Sequence, residues 1–178
     1  FDTTGAHLGQ FSDPALSGPT GMTISPAGEL HVASYDNGRL CVFTLAGDFL
    51  RFYTAPNFIT PNAVRFDSAG NIFSSSAILD AVFKWDASEV YVTAFTAPGP
   101  PVGLNSPMDI ACDGDDVLYV SGGISHNIVR FDTDGNFLGE FEHPDLLGPQ
   151  AIVFDEDGHI WSASFFEHLL VEFDENEN

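Results

Sequence analysis

At 178 residues the chain has the length of one domain, enough to bury roughly 70% of the surface its unfolded form exposes. A hydrophobic content of 44%, with 17 Phe, argues for a packed core and against disorder. Only Arg39, Arg51, Arg65, Lys84 and Arg130 oppose 26 acidic groups, and a net charge of −21 repels phosphate backbones, so nucleic acid is excluded as a partner.

No apolar run is long enough to span a membrane. The sequence starts without Met or an apolar leader and reads as a processed product or a fragment. Its acidity suits an extracellular or secreted protein kept soluble by self-repulsion. Cys41 and Cys112 fall inside strand-like runs and read as buried free thiols.

In chain order, residues 1–18 open with FDTTGAHLGQF, a phrase that returns as FDTDGNFLGEF at 131–141. Four similar units then begin at Pro19, Pro61, Pro107 and Pro149, spaced by 42, 46 and 42 residues. An aromatic residue follows each proline by 24 positions: Phe43, Trp85, Phe131 and Phe173. Each unit reads as four short strands, A to D, joined by Asp- and Gly-rich hairpin turns such as SPAGEL, DSAGNI and DEDGHI. Units of this length with four antiparallel strands are blades of a β-propeller. The spacing places blade 1 at 19–60, blade 2 at 61–106, blade 3 at 107–148 and strands A–C of blade 4 at 149–178.

Residues 1–18 then hold a strand D without its A, B and C, and the last unit stops where its strand D is due. The expectation is an all-β, four-bladed propeller whose last blade is completed by the chain's own N-terminal strand (Velcro-type closure) or by strand exchange with a neighbour. A fragment of a larger ring satisfies the same arithmetic.

The unit GPTGMTISPAGELHVASYDNGRLCVFTLAGDFLRF resembles an NHL repeat, with NGRL, SHNI and EHLL in place of its N-H-R-I-like phrase and LDAV departing from it in blade 2. The resemblance covers nearly the whole chain. It implies a propeller, usually of six blades, and a range of functions: protein-binding modules, RNA-binding modules, and lyases or lactonases with a metal in the central channel.

No H-E-x-x-H, G-x-S-x-G, G-x-G-x-x-G or phosphate-binding loop occurs, and no catalytic or metal-ligating residue is assigned. On strand A, which lines a propeller's channel, Arg65 and Asp109 break a small or apolar pattern and are the channel-ligand candidates. His31 aligns with Phe73, Tyr119 and Trp161 and reads as a packed ring, whereas His126 and His168 stand in the repeat phrase and orient loops. The runs DGDD, DTDG and DEDG read as turns before they read as calcium loops, because Asp accepts nearby backbone N–H groups; nonspecific binding of calcium or another divalent ion fits so acidic a surface. The B–C loops offer Tyr35, Asp36, Ile78, Leu79, Ile124, His126, Phe165 and Phe166 on one face. An apolar face rimmed by acidic groups suits a protein interface. The leading expectation is a noncatalytic module that binds protein or copies of itself. The alternative is a lyase- or lactonase-type enzyme holding a metal or small ligand near Arg65 and Asp109.

Overall fold

A computed structural model of the chain describes residues 3–99 and 103–174. Fifteen strands form four antiparallel sheets in simple up-and-down order. Blade 1 holds β1 (Pro19–Ile24), β2 (Leu30–Ser34), β3 (Arg39–Phe43) and β4 (Phe49–Tyr53). Blade 2 holds β5 (Pro61–Phe66), β6 (Ile72–Ser76), β7 (Ala81–Trp85) and β8 (Tyr91–Phe95). Blade 3 holds β9 (Pro107–Cys112), β10 (Leu118–Gly122), β11 (Asn127–Phe131) and β12 (Phe137–Glu142). Blade 4 holds β13 (Pro149–Phe154), β14 (Ile160–Ser164) and β15 (Leu169–Phe173).

The turns form because their side chains satisfy their own backbone. Asp67, Asp86, Asp113, Asp132 and Asp155 each accept a backbone N–H four residues on, at 2.7 to 3.0 Å. Each inner strand shifts register between its proline and the third residue after it. In blades 2 and 3 the amide freed there donates to a strand-B serine, Ala63 N to Ser75 Oγ (3.1 Å) and Asp109 N to Ser121 Oγ (2.9 Å). These buried serines are therefore satisfied parts of the core.

The core lies between the blades. Leu40, Val42, Val64, Ile72 and Trp85 fill the joint of blades 1 and 2. Phe73, Val82, Ile110, Leu118 and Phe131 fill that of blades 2 and 3, and Ile128, Ile152, Ile160 and Phe173 that of blades 3 and 4. The residue three before each proline plugs a joint from the D–A loop: Phe58, Leu104 and Leu146 are all buried. These three apolar loop residues thus belong to the interior.

Inner strands pack in series, β1 on β5, β5 on β9 and β9 on β13, with no packing of comparable extent between β13 and β1 among the described residues. The propeller is an arc. Among the described residues, blade 4 has three strands, and residues 5–13 form no strand and do not complete it. This corrects the expected closure by the chain's own N-terminal strand. Phe11 packs on Phe43 of blade 1, ring centroids 5.1 Å apart, and its ring also lies over Gly47. Strand-D aromatics make the same contact across the joints: Tyr53 on Trp85 (5.5 Å), Phe95 on Phe131 (5.1 Å) and Phe141 on Phe173 (5.0 Å). The opening segment does stand where a strand D stands, but it is that of a blade before blade 1.

Candidate functional site

Antiparallel order puts the A–B and C–D turns at one end of the arc and the B–C and D–A loops at the other. Candidate sites lie at both ends.

At the turn end residues of the four inner strands border an open cavity of ≈480 Å³, lined in part by Thr23, Arg65, Cys112, Val153 and Phe154. Arg65 enters it from β5, with its Nη2 donating to Asp109 Oδ1 on β9 (2.9 Å) and its Nη1 to the Val64 carbonyl (2.8 Å). Asp109 also accepts from its neighbour, Ile110 N (2.9 Å), and from Ile152 N on β13 (3.0 Å). One carboxylate therefore joins blades 2, 3 and 4, and both of its oxygens are occupied. The two residues that break the inner-strand pattern are thus brought together as an ion pair (2.9 Å). Arg65 remains partly exposed to the cavity and Asp109 less so. This leaves the guanidinium as the group that can meet a ligand, donating to carbonyl, ester or carboxylate oxygens.

Cys112 lines the same cavity, but burial, followed by the charges of Asp116 and Asp113, pushes its thiol up to about 12. It stays protonated at neutral pH and is no nucleophile. Cys41 is buried, its thiol is likewise raised, and neither cysteine is in a disulfide. A second cavity of ≈630 Å³ adjoins between blades 3 and 4, bordered by Asp113, Asp115, Tyr119, Asp155 and Glu156.

Two clusters with metal-ligand chemistry were not foreseen. Glu29, His31 and Glu89 offer donor atoms within 4.8 Å of one another at the joint of blades 1 and 2. Arg51 already sits among them, hydrogen-bonded to both carboxylates. His31 is 2% exposed and shares a 2.9 Å hydrogen bond between its Nδ1 and the Tyr53 hydroxyl, while an edge-on contact to Phe66 confirms it as a packed ring. Burial holds it below the ordinary histidine range and hence neutral. Asp155, His159 and Glu172 form the other cluster, on blade 4. The Glu172 carboxylate 2.9 Å from Nδ1 raises His159, and Trp161 Nε1 donates to Asp155 (3.0 Å). His159 lies one strand from Glu172, so the strand register could have revealed this cluster. Nothing in the repeat pattern announces Arg51 bridging two blades.

At the loop end the B–C loops carry the eight named residues, two per blade. Ile78, Leu79, Ile124, Phe165 and Phe166 are exposed, and Phe165 and Phe166 meet edge to face at 5.3 Å. Asp36 is tied down, accepting from Ser17 Oγ (3.1 Å), and Tyr35 is half-buried. His126 has φ of 60°, accepts Gly148 N at its Nδ1 (2.9 Å) and abuts Phe166. Its role is to hold a loop.

Up-and-down four-stranded blades around a channel define a β-propeller. No family model matches the chain, and no curated protein does. Among solved structures it is similar to a catalytically inactive histidine-to-alanine variant of virginiamycin B lyase from Staphylococcus aureus with quinupristin, at a TM-score of 0.79 and 24% identity, over 93% of this chain and 55% of that one. It is also similar to a streptogramin B lyase (TM-score 0.79, 18% identity, 94% of this chain and 54% of that). Hydrazine synthase from Kuenenia stuttgartiensis gives a TM-score of 0.73 at 17% identity, over 96% of this chain and 49% of that one. The chain spans about half the length of these structures, and the likeness is one of fold. No helix among the described residues is long and apolar enough to cross a membrane.

Proposed function

We propose that the protein binds a small molecule in its channel beside Arg65, as part of a lyase-type propeller built from NHL-like blades. The observation that carries this reading is the Arg65 guanidinium, aimed into a ≈480 Å³ cavity and held from behind by Asp109. Clefts of this size with a fixed charged group suit small polar ligands. The similarity to a virginiamycin B lyase and a streptogramin B lyase supports this reading over a purely noncatalytic one. In such a site Arg65 orients and polarises a ligand oxygen, and Cys112 contributes shape without covalent chemistry.

The test is incubation with quinupristin, following binding by calorimetry and any covalent change of the compound by mass spectrometry. Arg65→Gln is expected to weaken binding about tenfold or more, as loss of a charge-assisted hydrogen bond does. Asp36→Asn, at the opposite end, should leave it unchanged. Equal affinity of Arg65→Gln and the parent chain would sink the channel assignment.

A second reading is favoured by the exposed Ile78, Ile124, Phe165 and Phe166: the loop end docks a protein partner through its apolar B–C tips. Its test is a Phe165→Ser, Phe166→Ser variant in partner capture, with the channel ligand as control.

A further inference from the structure

The blades repeat one another closely, so the positions where one blade departs from the rest show what has been added to the scaffold. Several such departures meet at the turn end of the joint between blades 1 and 2. His31 stands where the other blades carry Phe73, Tyr119 and Trp161. Its partner Tyr53 stands where blades 2 and 3 carry Phe95 and Phe141, and Arg51 where they carry Thr93 and Gly139. Glu89 takes the place of Gly47 and Gly135 in blades 1 and 3, and it keeps their left-handed backbone, with φ of 63° against 93° and 87°. A side chain is strained in that conformation, so this carboxylate sits where glycine would serve the turn better.

Packing alone does not account for His31. A Phe fills the same space in blade 2 and buries no nitrogen. The His31 ring is 2% exposed, and its Nδ1 is bonded to the Tyr53 hydroxyl at 2.9 Å. Its Nε2 is buried and has no hydrogen-bond partner among the described residues. A buried nitrogen in that state has given up its hydration for nothing in return. His31 lines a cleft of ≈270 Å³ together with Glu29, Arg51 and Glu89, and Glu29 Oε2 lies 3.8 Å from Nε2. Donor atoms of Glu29, His31 and Glu89, one from each, all lie within 4.8 Å of one another. Arg51 meets both carboxylates, at 2.6 Å from Glu29 Oε2 and 2.7 Å from Glu89 Oε2, yet a single guanidinium leaves the pair with negative charge in excess.

We propose that this cleft binds a divalent transition ion of the zinc class, held by His31 Nε2 and one carboxylate oxygen each from Glu29 and Glu89. One imidazole nitrogen with two carboxylate oxygens suits such an ion, and a water completes four positions. Ligand atoms around tetrahedral zinc lie about 3.4 Å apart, so Glu29 has only a short distance to move. The Tyr53 hydroxyl fixes the ring from Nδ1, as a supporting contact behind a metal ligand does. Burial keeps the imidazole neutral, which is the form that binds metal. Arg51 is the competitor: its side chain is 40% exposed and withdraws toward solvent as the ion enters, exchanging one positive charge for two. Glu29 and His31 belong to blade 1 and Glu89 to the C–D turn of blade 2, so the ion staples the joint. The site uses outer parts of the blades and does not depend on a channel ligand beside Arg65.

The experiment is a calorimetric titration of chelator-stripped protein with Zn²⁺, in raised salt and excess Mg²⁺ to occupy the acidic surface, with thermal unfolding as a second readout. His159→Gln is carried as the background, because Asp155, His159 and Glu172 present the same donor types on the surface of blade 4. One ion per chain should bind and raise the unfolding temperature. His31→Phe keeps an aromatic ring and Glu89→Gly restores the glycine of the repeat, and circular dichroism confirms that each folds. They should weaken binding by about 100-fold and about tenfold respectively. Arg51→Thr, which installs the residue of blade 2, should tighten binding by about tenfold, a change of sign that a damaged fold does not produce. Co²⁺ in place of zinc should give a visible absorption band that His31→Phe abolishes. Zinc bound equally well by the background protein and by His31→Phe overturns the proposal, as does a background protein that binds no stoichiometric ion. An Arg51→Thr variant that binds no more tightly removes the exchange of guanidinium for metal.

Discussion

Ile128 and Leu170 occupy the same place in adjacent blades, in strands of the same length, yet one is wholly buried and the other is the most exposed residue of its strand. The same contrast separates Val64 from Met22. A blade of this protein has no hydrophobic interior of its own. Its sheet is a thin layer whose two faces become core only when a neighbour arrives, so burial belongs to the joint.

That contrast can be broken most sharply by truncation. Ile128→Ala should cost about 2–5 kcal/mol in urea unfolding, because it opens a cavity in a packed joint. Leu170→Ala in dilute protein should change stability by less than about 0.5 kcal/mol, as surface changes do. Comparable losses at both positions would mean that the face of blade 4 is covered within one chain. Next in size, Asp109→Ala should cost about 2–3 kcal/mol, because it leaves Ile152 N and the Arg65 guanidinium without their acceptor. The matching site in blade 2 is Ala63, and Ala63→Gly should cost no more than about 1 kcal/mol.

The histidines of blades 1 and 4 sharpen the comparison through pH. His31, buried in a joint, is held below its ordinary value, so its contribution to stability is present above about pH 6.5 and is lost as pH falls toward its folded value. His31→Phe should flatten that part of the stability profile. His159 lies on the exposed side of blade 4 and has the opposite sign. Glu172 raises it, so its contribution is present below about pH 6.5 and fades as pH rises through the raised value. The effect is the smallest of the set and is best seen by NMR titration of the ring: Glu172→Gln should lower the midpoint, and an unmoved midpoint would show that the 2.9 Å contact does not persist in solution.

Much of this was legible in the sequence. The four prolines mark strand A, and Phe43, Trp85, Phe131 and Phe173 mark the end of strand C, because each sits at a repeated packing position. Arg65 and Asp109 stood out because charge on an inner strand is costly without a partner, and they pair. The pairing itself was not evident, since side chains on adjacent inner strands project in the same sense; the length of the arginine bridges that offset. The opening segment matches a strand-D phrase, and Phe11 does take a strand-D packing position on blade 1, but residues 5–13 form no strand and do not complete blade 4. A periodic pattern fixes what a segment packs against in kind, and whether the ring shuts after four units depends on curvature, which no single repeat encodes. For the same reason the apolar D–A residues Phe58, Leu104 and Leu146 could not be told from the exposed Ile78 and Phe165 until the joints were seen.

The loop plugs have a further consequence for how the molecule comes apart. Because each plug serves one joint and each joint touches only two blades, stability propagates along the arc as a chain of nearest-neighbour couplings. Blades 2 and 3 are clasped from both sides and should open only with the whole, while blades 1 and 4 can fray on their own. Local opening should therefore begin at both ends of the arc and work inward, so that the middle of the chain is the last to let go.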